Sequence, residues 1–237
     1  MADFLLVHGS CHGAWCWRDL IPALEHLGHS ARAIDLPGNG ADTTPLAQVT
    51  LEDTAKAIQR ASRPSTIVMA HSWGGVPMTL AADQAPEFMA GLIYLCAYVP
   101  LPELSMIDMR KRAKRQPLAQ AVIKDPQGVS YVVDTDQQRR IFYHDCTDET
   151  VRFAQAQLRP QAIRPQDTPV PLTGSWRSIP HHYILCEQDG AIPPEYQAEM
   201  VSDWPRSQVH SLPTSHSPFF SAPKQLAQMM DQISKDL

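Results

Sequence analysis

Residues 69–77 read MAHSWGGVP, and they follow directly on the apolar, β-branched run STIV. Ala70 and Gly74 stand two positions before and two positions after Ser72. In a sharp turn from a strand into a helix these flanking positions face each other, so only small side chains fit and the serine hydroxyl is presented outward. The pattern makes Ser72 a candidate nucleophile, with an ordinary loop serine as the alternative.

The composition limits the classes of protein that fit the sequence. A chain of 237 residues, 43% of them hydrophobic and 19% charged, is long enough for a large α/β domain with a substantial core. Its net charge of −5 argues against nucleic acid as the main partner, because phosphate binding needs a positive surface. No apolar run approaches the roughly 18 residues of a membrane span, and the FLLV run near the N-terminus lacks the basic flank of a signal peptide. We therefore expect a cytoplasmic protein with no membrane partner.

The five cysteines are odd in number, scattered, and without a CxxC pair. This distribution is not typical of an extracellular disulfide framework or of a structural zinc site. We expect neither a metal nor a cofactor.

Short apolar segments alternate along the chain with segments of helical periodicity. The predicted strands are 4–7, 30–36, 65–70, 92–99, 182–186 and 208–212, and the predicted helices are 15–27, 51–61, 74–84, 194–201 and 223–237. Such alternation predicts a mostly parallel sheet with helices on both faces.

Residues 101–178 interrupt the alternation. They are richer in charge, glutamine and proline, with helical patterns over 107–121 and 147–158. We expect a core formed by residues 1–100 and 179–237, with 101–178 inserted as a cap. Because ligands of such sheets bind at the carboxyl ends of the strands, a cap there would cover the site.

A serine nucleophile needs a base, and the base needs a carboxylate that orients it. Asp189 follows the predicted strand HYILC, and His216 follows the last predicted strand, so both belong to the sheet edge that carries Ser72. The order serine, acid, histidine is typical of hydrolases with this kind of turn. Asp35 also ends a predicted strand but precedes the serine, so the order disfavours it, and an ordinary Asp-Gly turn is the alternative for Asp189.

An oxyanion hole requires two backbone N–H donors aimed at the developing negative charge. The N–H of Trp73, at the start of the helix after the serine, is one candidate. The second is the N–H of Ser10, in the loop after the first strand, where Gly9 lets the backbone approach closely.

At this level of detail the sequence resembles the α/β-hydrolase superfamily, and within it the group of plant methylesterases, salicylate-binding esterases and hydroxynitrile lyases. The resemblance lies in residues 5–40, LLVHGSCHGAWCWRDLIPALEHLGHSARAIDLPGNG, in the serine turn, and in residues 186–197, CEQDGAIPPEYQ. It implies an α/β-hydrolase fold, a mostly parallel doubly wound sheet with a helical cap inserted after the sixth strand. It also implies Ser72, His216 and Asp189 as a catalytic triad, with Ser10 and Trp73 as oxyanion donors.

The group includes two chemistries, and three positions distinguish them. Its lyases carry threonine where this chain has Gly9, lysine where it has Ser217, and glutamate where it has His71. All three differences favour ester hydrolysis over cyanohydrin cleavage. A dehalogenase would need a carboxylate in place of Ser72.

For several other polar residues we expect structural or surface roles rather than catalytic ones. His8 and His12 flank the first loop four residues apart, and we expect them to shape it rather than bind a metal. We expect His71 to be a structural neighbour of the nucleophile rather than a second base. The basic run of residues 110–115 fits a solvated helix face, with attraction of anionic substrates as the alternative.

The sequence thus predicts a serine carboxylesterase acting on small to medium, apolar or aromatic carboxylic esters through an acyl-enzyme. Gly9, Trp73 and Phe219 are the predicted substrate-binding residues. The alternatives are a lyase of the hydroxynitrile lyase type and a non-catalytic small-ligand receptor on the same fold. The expected partner is a small-molecule ester, and a homodimer through the cap or a sheet edge is compatible with the sequence.

Overall fold

The computed structural model describes residues 1–237, which form nine strands. They are β1 (Asp3–Val7), β2 (Ser30–Ile34), β3 (Thr66–His71), β4 (Gly91–Leu95), β5 (Val122–Lys124), β6 (Ser130–Val133), β7 (Gln161–Ala162), β8 (His181–Cys186) and β9 (Val209–Leu212). Six of them make the central sheet, in the order β2-β1-β3-β4-β8-β9. All five pairings in this sheet are parallel, which confirms the predicted parallel sheet.

The strand order places a crevice at one end of the sheet. From β1 the chain passes to β2 on one side and then to β3 on the other, so the winding direction reverses between β1 and β3. In open parallel sheets the carboxyl ends beside such a reversal form the binding crevice. Ser10 follows β1 and Ser72 follows β3, so the structure places both at this reversal.

The chain forms nine α-helices. They are α1 (Leu20–His26), α2 (Leu51–Ala61), α3 (Gly75–Gln84), α4 (Met106–Arg112), α5 (Thr135–Phe142), α6 (Asp148–Gln157), α7 (Pro194–Met200), α8 (Pro218–Ser221) and α9 (Pro223–Ile233). None of them is both long enough and apolar enough to cross a membrane.

The alternating side chains of β1 show how the helices cover both faces. Phe4 and Leu6 pack in one buried cluster with apolar residues of α1 and α9. Leu5 and Val7 pack in a second buried cluster with apolar residues of α2 and α3. Because successive side chains of a strand point to opposite faces, the two clusters lie on opposite sides of the sheet, as a doubly wound architecture requires.

Some predicted elements are divided or end earlier than expected. The predicted helix 15–27 is a short 3-10 helix, Ala14–Trp17, followed by α1. The predicted strand 92–99 ends at Leu95, because Cys96 adopts a left-handed backbone conformation with φ of 35°. The predicted helix 107–121 ends at Arg112, and a separate 3-10 helix covers Leu118–Ala121.

The inserted segment differs from the predicted helical cap. It follows β4, the fourth strand of the chain, rather than a sixth, and besides α4, α5 and α6 it contains an antiparallel sheet of β5, β6 and β7. These strands are two to four residues long, too short for an alternating pattern to stand out in the sequence. The division into core 1–100 and 179–237 and cap 101–178 stays a prediction.

Candidate active site

Ser72 occupies a sharp turn between β3 and α3. Its backbone φ is 55°, a left-handed conformation that is rare for a residue with a side chain. The turn needs glycine behind it: a Cβ on Gly74 would lie 2.6 Å from the carbonyl oxygen of His8, and one on Gly75 would lie 2.3 Å from that of Tyr98. These contacts match the tight turn predicted from the small residues around the serine.

His216 and Asp189 form a buried hydrogen-bonded pair. Nδ1 of His216 lies 2.7 Å from Oδ2 of Asp189, with side-chain exposures of 1% and 0%. The carboxylate also accepts hydrogen bonds from the N–H groups of Ala191 and Ile192 and from Nε2 of Gln197, at 2.6, 2.9 and 2.8 Å. Because a carboxylate only accepts, the His216 proton sits on Nδ1 and leaves Nε2 free to act as a base.

Asp35, the competing strand-end carboxylate, has a different role. Its Oδ1 accepts from the N–H of Ala14 at 2.6 Å, and its Oδ2 accepts from the N–H of Ala41 at 3.0 Å. Asp35 therefore holds two loops together, and Asp189 is the carboxylate that orients His216.

The carbonyl of His216 is held by two residues next to the serine turn. Nε2 of His71 donates to it at 2.8 Å, and Sγ of Cys96 donates at 3.6 Å. Burial, followed by the neighbouring histidines, lowers the pKa of His71 well below its ordinary value. A neutral ring that donates through Nε2 to a carbonyl fixes the position of His216, which supports a structural role for His71 rather than that of a second base.

Ser72 and His216 lie on the same rim of the sheet. The ring of His71, the residue before the serine, is 4.4 Å from the ring of His216 between centroids. The hydroxyl of Ser72 is not hydrogen-bonded to the His216 ring in this structure. Such bonds are often long before substrate binds and shorten in the complex.

The loop after β1 packs directly against the serine turn. A Cβ on Gly9 would lie 2.8 Å from Cβ of Ser72 and 2.8 Å from Nδ1 of His71, so only glycine fits there. The N–H of Ser10 makes no hydrogen bond within the chain, and the N–H of Trp73 lies in the first turn of a helix, where amides lack an intrahelical acceptor. Both amides are therefore available to bind an anion.

His8 and His12 use their ring nitrogens within the protein. His8 bonds through Nδ1 to the carbonyl of Gly9 at 2.8 Å and through Nε2 to the N–H of Leu36 at 3.0 Å. His12 bonds through Nδ1 to the carbonyl of Ser10 at 2.7 Å and through Nε2 to the hydroxyl of Tyr143 at 2.7 Å. These contacts agree with the predicted shaping of the loop.

Phe219, one of the predicted substrate-binding residues, is fully buried in this structure. Its ring packs edge-on against those of Trp17 and His71 at 4.9 and 5.0 Å. The Phe219 ring therefore supports the ring of His71 and is not accessible to solvent in this structure. Trp73 is 1% exposed and Gly9 packs on the serine turn. Contact of Gly9, Trp73 and Phe219 with the substrate stays a prediction.

The basic run lies in and after α4, and two of its charges are paired. Lys111 bonds to Asp108 at 3.0 Å, and Arg115 makes two bonds to Glu195 at 2.7 and 2.8 Å. Pairing lowers the positive potential that could attract anionic substrates. The run therefore fits a solvated helix face better than a site that attracts anions.

Three supporting residues were not foreseen from the sequence: Cys96, Gln197 and Tyr143. Cys96 and Tyr143 contact the site from elements that are distant in the chain, and no local pattern marks them. Gln197 lies eight residues after Asp189, and its place within the matched segment CEQDGAIPPEYQ was the only signal.

The comparisons with known proteins agree with this geometry. The profile of the Alpha/beta hydrolase family matches residues 4–229. Methylesterase 1 of Arabidopsis thaliana is 30% identical over 98% of this chain and 95% of its own length. A pyrethroid hydrolase from Sphingobium faniae JZ-2 is 28% identical, with a TM-score of 0.87 over 99% of this chain and 97% of that one. The methylesterase MES16 from Arabidopsis is 25% identical, with a TM-score of 0.84 over the full length of both.

The chain belongs to the α/β-hydrolase family, as the parallel sheet and the strained serine turn already indicated. Within that family it is a hydrolase acting on ester bonds, since the relatives it matches over nearly its whole length are named esterases.

Proposed function

We propose that the protein is a serine carboxylesterase that works through Ser72, His216 and Asp189. The observation that carries the proposal is the buried bond between His216 and Asp189, with the His216 ring 4.4 Å from the ring of His71, the residue before a serine in a strained turn. A buried, ionised carboxylate that holds a neutral imidazole in one tautomer is the arrangement that prepares a base for a serine hydroxyl.

In the proposed mechanism Oγ of Ser72 attacks the ester carbonyl while Nε2 of His216 takes the hydroxyl proton. The tetrahedral intermediate collapses, and His216 returns that proton to the departing alcohol, leaving an acyl group on Ser72. Water, deprotonated by His216, then attacks the acyl-enzyme and releases the carboxylic acid. Asp189 stabilises the imidazolium formed in both steps.

The N–H groups of Ser10 and Trp73 are the proposed oxyanion donors. Both belong to segments that pack on Ser72, as the close approach of Gly9 shows, and neither depends on an internal acceptor for its position. Preorganised donors of this kind commonly supply about 10²–10³ in rate for each N–H.

The proposed substrates are small to medium apolar or aromatic esters. The site is nearly closed, with exposures of 6% for Ser72, 1% for His216 and 6% for Asp189, which favours compact substrates. Among the relatives are proteins named as methylesterases, a methyl jasmonate esterase of Vitis vinifera and a pyrethroid hydrolase. These names support an ester of a carboxylic acid with an apolar part.

The lyase alternative has less support than ester hydrolysis. The lyases of the resembling group carry threonine at the position of Gly9, but here even a Cβ would lie 2.8 Å from Ser72 and His71. A threonine side chain does not fit this loop without movement of the serine turn.

The test is turnover of p-nitrophenyl acetate and butyrate by wild type and by Ser72→Ala. We expect wild-type hydrolysis and its loss in a variant with an unchanged circular dichroism spectrum. Normal turnover by folded Ser72→Ala would refute the assignment. Cyanide release from mandelonitrile would instead support the lyase, and tight ligand binding without any turnover would support the receptor.

We also propose a cytoplasmic location, since all five cysteines are unpaired and buried and reduced thiols are typical of that compartment. The homodimer stays a prediction, which light scattering of the purified protein tests.

A further inference from the structure

We propose that residues 142–145, with the sequence FYHD, form a docking segment that positions three of the loops of the active site. The segment covers the end of α5 and the residues after it, within the insertion that follows β4. The inference rests on the proposed function, because its target loops carry Ser10, Asp189 and His216.

Tyr143 positions the loop of the oxyanion hole through His12. Nδ1 of His12 lies 2.7 Å from the carbonyl oxygen of Ser10, which only accepts, so Nδ1 carries the proton. Nε2 of the neutral ring must then accept, and its partner is the hydroxyl of Tyr143 at 2.7 Å. This carbonyl and the proposed donor N–H both belong to Ser10. The hydrogen bond from His12 to the carbonyl therefore helps to fix the direction in which the N–H points.

The chain from Tyr143 to His12 is buried, and its protonation state is fixed. Burial lowers the pKa of His12 to about 3, so the ring stays neutral and keeps its acceptor lone pair. The ring lies among aromatic neighbours, with Phe142 edge-on at 5.5 Å and Trp15 stacked at 5.3 Å. With the ring plane held by these contacts, the Tyr143 hydroxyl determines which way Nε2 points.

Asp145 and Phe142 position the loop of His216. Oδ2 of Asp145 accepts from the N–H of Ser215 at 2.8 Å, and the hydroxyl of Ser215 donates to the carbonyl of Phe142 at 3.2 Å. The Phe142 ring stacks on the His216 ring, with centroids 5.7 Å apart and planes inclined by 29°. The residue before the base and the base itself are therefore held by the docking segment.

His144 contacts the loop of Asp189. Its Nε2 donates to the carbonyl of Gln188 at 2.8 Å. The same loop approaches the end of α5 so closely that a Cβ on Gly190 would lie 2.6 Å from the carbonyl oxygen of Arg140. Four consecutive residues thus contact the oxyanion loop, the histidine loop and the acid loop, none of which neighbours them in sequence.

The positioning of the Ser10 loop is tested with Tyr143→Phe, which removes one hydroxyl and leaves the ring. The N–H of Cys11 is also held, by Oε1 of Gln161 at 3.0 Å, so the loop shifts rather than collapses. We expect kcat to fall about tenfold, less than the loss of a whole donor. The Ki of a trifluoromethyl ketone, which mimics the tetrahedral intermediate, should rise by the same factor while KM stays within about twofold.

The matched control is Tyr94→Phe, which loses a buried hydroxyl bonded to Oγ1 of Thr79 at 2.6 Å. It should leave both kcat and the Ki of the ketone unchanged. The inference is wrong if Tyr143→Phe behaves like this control, or if its KM rises while kcat is preserved.

The positioning of the His216 loop is tested with two variants of Asp145. Asp145→Ala removes the acceptor of the Ser215 N–H and should lower kcat about tenfold, whereas Asp145→Asn keeps an oxygen acceptor and should restore most of it. Equal activity of the two variants would contradict the positioning role. Stoichiometric labelling of wild-type Ser72 by a phosphonate separates the outcomes: if labelling succeeds and the variants are normal, only the docking segment is refuted.

Discussion

At the scale of single residues, the site depends on a carboxylate, Asp189, whose two oxygens both accept hydrogen bonds. Asp189 receives four hydrogen bonds, from His216, Gln197, Ala191 and Ile192. A carboxylate that accepts four hydrogen bonds cannot rotate, which fixes the imidazole that it holds.

Asp189→Asn is therefore expected to lower kcat strongly while the fold is retained. The new amide NH₂ would face at least one of the four donors and would favour the wrong imidazole tautomer, so we expect a loss of about 10³–10⁴ in kcat. Steady-state kinetics on p-nitrophenyl butyrate measure it. Glu187→Gln, two residues earlier and exposed, is the control and should retain full activity; a loss below tenfold in Asp189→Asn would contradict the role given to Asp189.

The principal residues could be predicted from the sequence because their signals are local. Ser72 is marked by its small neighbours, and Asp189 and His216 follow apolar strands in the expected chain order. The residues that support them could not be predicted. The thiol of Cys96 contacts His216, and the ring of Phe219 contacts His71, only because segments distant in the chain pack together. The burial of Phe219 could not be foreseen for the same reason, because adjacency to the base in sequence does not reveal which way the ring points.

At the scale of elements, the return of the inserted segment to the core is anchored by one carboxylate. Asp83, near the end of α3, is buried and accepts from the N–H groups of Thr173, Gly174 and Trp176 at 2.6, 2.9 and 3.1 Å. Burial works to raise the pKa of Asp83, but these bonds outweigh it and hold the pKa below its ordinary value. The strand β8 that carries the acid loop begins a few residues later.

Asp83→Ala is expected to destabilise the fold by about 3 kcal/mol, because three backbone donors lose a charged acceptor. Urea denaturation followed by tryptophan fluorescence measures the change in the free energy of unfolding. Asp19→Ala changes a half-buried residue with only a surface pair to Arg18 and should change this free energy by less than about 0.5 kcal/mol. Equal effects of the two substitutions would show that Asp83 is no anchor.

The elements of the sheet were easier to predict than those of the insertion. Strands such as β3 and β4 are buried throughout and consist mainly of apolar residues. Helix α2 has the predicted bounds 51–61 and begins with a capping box at Thr50 and Asp53. Helix α5 was missed because its buried residues are Gln138, Ile141 and Phe142, two of them at its very end. An apolar stripe of helical period does not form from these positions.

At the scale of the whole molecule, three buried histidines make stability depend on pH. Burial is the largest cause that lowers the pKa of His8, of His12 and of His71. Below about pH 6.5, where histidines of the unfolded chain take up protons, the folded chain therefore binds fewer protons at these three positions. Because the unfolded state binds more protons, the free energy of unfolding falls as the pH falls.

Urea denaturation at pH 7 and pH 5 measures this dependence. Near pH 5 each such histidine should contribute a slope of up to about 1.4 kcal/mol per pH unit, and for His12 the slope persists until its folded pKa of about 3. The exposed His26→Gln should keep the wild-type slope. Equal free energies of unfolding at the two pH values would show that the buried rings are not neutral in the folded chain.

The central claim is that the hydroxyl of residue 72 is the nucleophile and that the ring of residue 216 activates it. Intact-protein and peptide mass spectrometry after reaction with a fluorophosphonate tests it most directly. The account predicts one adduct per chain, located on Ser72, formed far more slowly in His216→Ala and absent in Ser72→Ala. An adduct on another residue, or none at all in a protein that still hydrolyses esters, would contradict it.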